Sequence, residues 1–171
     1  MPAFDPPPAL LEALTAAKRP FLCTHIYPDG DALGSSVALA RILRHRGADP
    51  TVLLTHPVPE MLAGTDREGL AEVIPGEPTE AQRARIAAAD AIIVLDTSDP
   101  DRLGRMRPPV DENPAPKLLI DHHICEDPSV FDVAWSVTES PSTGNLVPVS
   151  YTHLTLPTRS CKCISRWSPY D

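Results

Sequence analysis

No stretch of the 171-residue chain approaches the ~20 consecutive apolar residues that a membrane-spanning helix needs. Nor does the N-terminus carry a basic segment followed by an apolar one, so no secretory leader is expected and a cytoplasmic location is. An excess of basic residues is also missing: 15 Lys and Arg stand against 23 Asp and Glu, a formal net charge of −8. A chain of that sign is not expected to bind duplex DNA by neutralising many phosphates. It can still accept a phosphate ester, because bound divalent cations reverse the field locally. Cysteine is sparse and forms no framework. Cys23 lies in an apolar run, Cys125 stands alone, and Cys161 and Cys163 form a Cys-x-Cys pair, by itself a weak zinc signal. Reduced thiols are the expectation.

What is present is a regular alternation of elements. Leu10, Leu11 and Leu14 predict a helix over residues 8–18, closed by Pro20. Residues 21–24 read as a first strand. A turn containing Pro28 and Gly30 follows, with Asp31 in the N-cap position of a helix whose Leu33, Val37, Ala40 and Leu43 recur at helical spacing. Gly47 suits its end. Residues 51–54 form a second strand, whereas 56–78 mix prolines and glycines with short apolar pieces and yield no clear element. Thr79 and Gln82 have capping-box spacing and open a helix through Ala88. Residues 91–95 are apolar on both faces, as a buried parallel strand requires. A loop with a helical turn and a Pro-rich connection through Pro116 lead to a strand at 118–120. Alternating Val133, Trp135 and Val137 suggest one more. The order predicts an α/β fold: an open, mostly parallel sheet with helices on both faces.

Three apolar runs end in metal-type side chains: His25, Asp29 and Asp31; then Asp96; then Asp121, His122 and His123. Singly, each has a structural explanation. Asp29 and Asp31 beside Gly30 suit a turn and a cap, Asp96 suits a strand exit, and the paired histidines suit a loop. Together at successive ends of a parallel sheet they converge on the edge where doubly wound folds bind ligands. Mixed carboxylate and imidazole donors suit manganese, with Mg2+ or Co2+ as alternatives. Two such ions ~3.5–4 Å apart are a device for in-line attack on phosphorus. Asp96, a lone carboxylate at the end of a central strand, suits the bridge. The helix near Asp31 would aim backbone N–H groups around Gly34 and Ser35 at a phosphate. His45 and His56 fall outside the pattern and read as surface residues.

Asp121-His122-His123, with His25-x-x-x-Asp29-x-Asp31, Asp96-Thr97-Ser98-Asp99-x-x-Arg102 and Ser142-Thr143-Gly144, resembles the DHH phosphoesterase superfamily over residues 8–145. The resemblance implies a phosphoesterase with two Mn2+ ions. His25 and Asp29 would hold one, Asp31 and His122 the other, and Asp96 would bridge them. His123 would face the substrate phosphate, with Arg102 as a further phosphate contact, and Asp121 would orient the histidines. The wording Pro28-Asp29-Gly30-Asp31-Ala32-x-Gly34-Ser35 is most similar to the NrnA-like branch. That implies short oligoribonucleotides (nanoRNA) or 3'-phosphoadenosine 5'-phosphate (pAp) as substrate, and a homodimer as a further expectation. Alternatives are a cyclic-dinucleotide phosphodiesterase, a RecJ-like exonuclease or a manganese pyrophosphatase. Tyr27 occupies a position where relatives more often carry a polar residue.

The family's further aspartate ligand and its smaller DHHA1-type substrate domain are not found here. After Asn145 the character changes: Pro148 is expected to interrupt a nascent helix, and residues 149–158 resemble a translated library adapter. The expectation is a partial DHH domain over 1–145 and a non-native or disordered tail over 146–171, so that the chain itself would be an inactive fragment.

Overall fold

The computed structural model describes residues 4–155, with the side chains of 151–155 left aside. Its centre is a six-stranded sheet, every neighbouring pair parallel, built from β1 (Pro20–Cys23), β2 (Thr51–Leu54), β3 (Ala71–Val73), β4 (Ala91–Leu95), β5 (Lys117–Asp121) and β6 (Val133–Ser136). The strand order is β3-β2-β1-β4-β5-β6. The chain thus winds outward from β1 in one direction and from β4 in the other. The crevice between those two strands is where an open parallel sheet receives ligands.

Strand periodicity divides the core between two faces. Leu22, Ile93, Leu95, Leu118 and Ile120 point to one side, where α1 (Pro8–Ala16), α2 (Gly30–His45) and α5 (Thr143–Thr155) contribute Leu10, Leu14, Val37, Leu43, Leu146 and Val147. Phe21, Cys23, Ile92, Val94 and Leu119 point to the other, against Ile86 of α3 (Glu80–Ala87) and Val110 of α4 (Arg107–Glu112). Leu103 and Met106, from a 3-10 segment at Pro100–Met106, complete that layer. The expected architecture is therefore present. No helix among the described residues is long and apolar enough to cross a membrane.

Three departures from expectation have local causes. The cap of α2 is Asp29, not Asp31: its side chain accepts from the N–H groups of Asp31 and Ala32, so the helix begins at Gly30. The region without a predicted element contains β3 and a 3-10 turn at Glu60–Leu62, each only three residues long. The Pro-rich connection contains α4, because Pro108 sits in the first turn, where its missing N–H has no helical partner to lose.

Pro148 does not break α5. The helix continues through it to Thr155, while Leu146, Val147 and Ser150 are fully buried. Proline there sacrifices one backbone hydrogen bond, and the buried side chains around it hold the helix in place. The rest of the expected tail, with Cys161, Cys163 and residues 156–171, lies outside the described residues.

Candidate metal centre

The C-terminal ends of β1, β4 and β5 bring the predicted donors together. Asp96 is the hub. Its side chain is 2% exposed, with His25 Nε2 at 3.6 Å from Oδ2 and His122 Nε2 at 3.6 Å from Oδ1. His123 Nδ1 lies 3.8 Å from Oδ1, and the Thr143 hydroxyl donates to Oδ1 at 2.9 Å. The backbone of Asp96 is left-handed, at φ 61°, the sole non-glycine residue with positive φ among those described. Aspartate tolerates that region better than most residues but still at a cost. Burial pushes the Asp96 carboxyl up, but His25, the Thr143 hydroxyl and the nearby His123 outweigh it and hold the group below the usual carboxylate range. It is a carboxylate at neutral pH.

Two sets of three donors can each surround one cation: His25, Asp29 and Asp96, and Asp96, His122 and His123. They share Asp96. The donor chemistry, two imidazoles or one imidazole with carboxylates, fits an ion intermediate between magnesium and zinc.

Asp31 stands differently from expectation. Its Oδ2 is 3.6 Å from His122 Nε2, yet both oxygens also accept from the first N–H groups of α5, Thr143 N and Gly144 N, each at 2.8 Å. Burial raises the Asp31 carboxyl pKa, and the charge of Asp96 adds to the rise; the two backbone donors and His122 oppose it without cancelling it. Asp31 therefore joins two helices as well as approaching the site.

Asp121 Oδ1 accepts from His122 N at 2.7 Å, His123 N at 3.1 Å and the His123 ring, Nδ1–H donating, at 2.8 Å. This leaves His123 Nε2 free. His122 Nδ1–H points to the Ser140 carbonyl at 3.3 Å, leaving its Nε2 toward the carboxylates. Asp121 Oδ2 is buried without a hydrogen-bond partner among the described residues.

Gly34 and Ser35 are not where a phosphate could meet their N–H groups. They lie in the second turn of α2, where backbone donors are committed to the helix. Ser35 is buried and its hydroxyl donates to the Ala32 carbonyl at 3.3 Å. Two of the first-turn donors, Asp31 N and Ala32 N, are taken by the Asp29 side chain. Arg102 lines a cavity of about 520 Å³ together with Thr97, Ser98, Arg107 and His123.

One close approach was not legible in the sequence. Gly104, at φ 55° and ψ −126°, packs so tightly on Ile26 that a Cβ there would lie 2.4 Å from Ile26 Cγ2. Ile26 N also donates to Arg102 O at 2.8 Å, so the segment after β4 clamps the residue next to His25.

A parallel sheet with a carboxylate and histidine site at its switch point defines a class of α/β metal-site proteins. Residues 20–154 match the DHH family, N-terminal domain, and the chain belongs to that family. Among solved structures it is similar to an exopolyphosphatase-related protein from Bacteroides fragilis, at 25% identity and a TM-score of 0.80. The match covers 88% of this chain and 45% of that one, so the chain spans less than half the length of that relative. The exonuclease RecJ bound to manganese matches at 20% identity and a TM-score of 0.49, over 87% of this chain and 37% of that one. A Sir2 enzyme structure, at 12% identity and a TM-score of 0.53 over 85% of this chain and 96% of that one, shares the fold alone. No curated protein sequence matches.

Proposed function

We propose that this chain is the catalytic domain of a longer two-metal phosphoesterase of the NrnA-like branch, and that the longer protein, rather than this chain alone, acts in the cytoplasm on short oligoribonucleotides or pAp. The observation that carries the reading is the sharing of Asp96 by two adjacent donor sets. His25, Asp29 and Asp96 would hold one ion. Asp96 and His122 of the second set would hold the other, with Asp31 Oδ2, 3.6 Å from His122 Nε2, as its third donor in place of His123, which is left for the substrate. Bound Mn2+ would lower the pKa of the attacking water and neutralise charge growing on the phosphoryl oxygens.

The remaining residues position and discriminate. His123 is half-exposed and its Nδ1–H donates to Asp121; in the imidazolium form its Nε2–H would also be a donor, able to meet a phosphoryl oxygen. Asp121 acts through this contact and through the two backbone N–H groups it accepts. The cavity beside His123 offers Arg102 and Ser98 to the part of the substrate beyond the scissile bond. Gly34 and Ser35 are left out of the phosphate site, for the reason of helix position given above.

Release of inorganic phosphate from pAp and from pyrophosphate, and of mononucleotides from a diribonucleotide and from cyclic di-AMP, each measured with Mn2+ in parallel, tests the reading. Release from pAp or the dinucleotide is expected. Release confined to pyrophosphate would refute the nucleotide assignment, and tight binding of no Mn2+ at all would refute the site.

A further inference from the structure

Tyr27 is 68% exposed, although it lies midway between His25 and Asp29 in the chain. Its ring rests against the His56 imidazole, with centroids 4.5 Å apart and planes inclined at 44°. The imidazole belongs to the loop after β2, and that loop is tied to the metal turn. Thr55 donates its hydroxyl to the Ile26 carbonyl at 2.9 Å, and His56 Nδ1 lies 3.4 Å from the same hydroxyl. One side of the phenol is thus braced by a second ring while most of its surface remains open.

A braced, exposed aromatic ring suits a flat aromatic ligand. Base–aromatic stacking is worth roughly 1–3 kcal/mol per base, and it needs a ring whose position is settled beforehand. Tyr27 is two residues from each of His25 and Asp29, so its Cα lies within about 8 Å of theirs. A nucleotide spans such a separation between its phosphate and its base. A pyrophosphate or sugar phosphate presents nothing to stack.

We propose that Tyr27, braced by His56, is a stacking platform for a nucleobase of the substrate and makes the site select nucleotides over non-aromatic phosphoesters. This rests on the phosphoester reading of the metal centre. His56, which the sequence pattern leaves out, acts as a positioning residue for the platform.

Calorimetric titration of the Mn-loaded chain with AMP and with ribose 5-phosphate tests it, using the unaltered chain, Tyr27→Ala and Tyr27→Phe. AMP is expected to bind about 5- to 150-fold more tightly than ribose 5-phosphate. Tyr27→Ala should bring that ratio close to one without altering ribose 5-phosphate affinity, and Tyr27→Phe should keep it. Equal affinities in the unaltered chain, or a ratio that survives Tyr27→Ala, overturn the platform and leave the phosphoester reading standing. Binding of Mn2+ but of neither ligand overturns both. A ratio lost equally in Tyr27→Phe also overturns the proposal, because the phenol hydroxyl and not the ring face would then be the contact. Since the ring is mostly exposed, Tyr27→Ala should unfold at the same denaturant concentration as the unaltered chain; an earlier transition would assign Tyr27 a structural role instead.

Discussion

Replacing Asp96 by alanine and by glycine separates its two burdens, the carboxylate and the left-handed backbone at φ 61°. Both variants delete the shared ligand and leave the Thr143 hydroxyl without its acceptor, so those losses cancel when the two are compared. What remains is conformational. An alanine held left-handed costs roughly 1–2 kcal/mol, whereas glycine adopts that region freely. Against this, glycine loses about 0.5–1 kcal/mol more than alanine through the greater freedom of the unfolded chain. The expected balance favours Asp96→Gly by about 0.5–1 kcal/mol, opposite to the order at an ordinary strand or helix position. Urea unfolding of the metal-free variants gives the comparison. Calorimetric Mn2+ titration of the same samples should show no tight binding in either, and turnover should be lost with it. An alanine variant as stable as the glycine one would refute the backbone argument. Retained two-ion binding or turnover would refute the bridging role.

Two further outcomes follow from packing. Gly104→Ala must displace Ile26 and occupy a region of φ and ψ reserved for glycine, so it should destabilise the chain by about 2–3 kcal/mol in urea unfolding and weaken Mn2+ binding through His25. Unchanged stability and affinity would show that the clamp on Ile26 does not matter. Cys23 is fully buried, and burial pushes its thiol up to about 12 from 9.0. The folded chain therefore keeps a proton that the unfolded chain releases near 9.0; the stability contribution is whole below that pH and declines above it. Alkylation at pH 8 followed by peptide mapping should leave Cys23 unmodified until denaturant is added, and rapid labelling of the folded chain would contradict its burial.

The fold was legible because its signals are local. Capping-box spacing at Thr79 and Gln82 and the apolar run at Ala91–Leu95 both report directly on elements that exist. The strand ends exposed the donor set in the same way, since Asp96 and Asp121 each terminate or follow a buried strand. What escaped notice depends on contacts between distant residues. Asp31 reads as a cap for its own helix, yet it accepts from Thr143 and Gly144, 112 and 113 residues away. Nothing near Gly104 in the sequence announces Ile26 as its neighbour. β3 was missed for another reason: three residues with no fully buried side chain carry too little periodicity to stand out.

The carboxylates of this centre are each met by donors from the chain. Asp29 receives the first N–H groups of α2, Asp31 those of α5, and Asp121 those of His122 and His123, while Asp96 receives a hydroxyl. Those hydrogen bonds do not depend on an ion. Cation binding at the proposed site would then be separable from folding, unlike in small zinc domains where the metal supplies the folding energy. Ions could exchange, or be stripped by a chelator, while the cup that receives them keeps its shape.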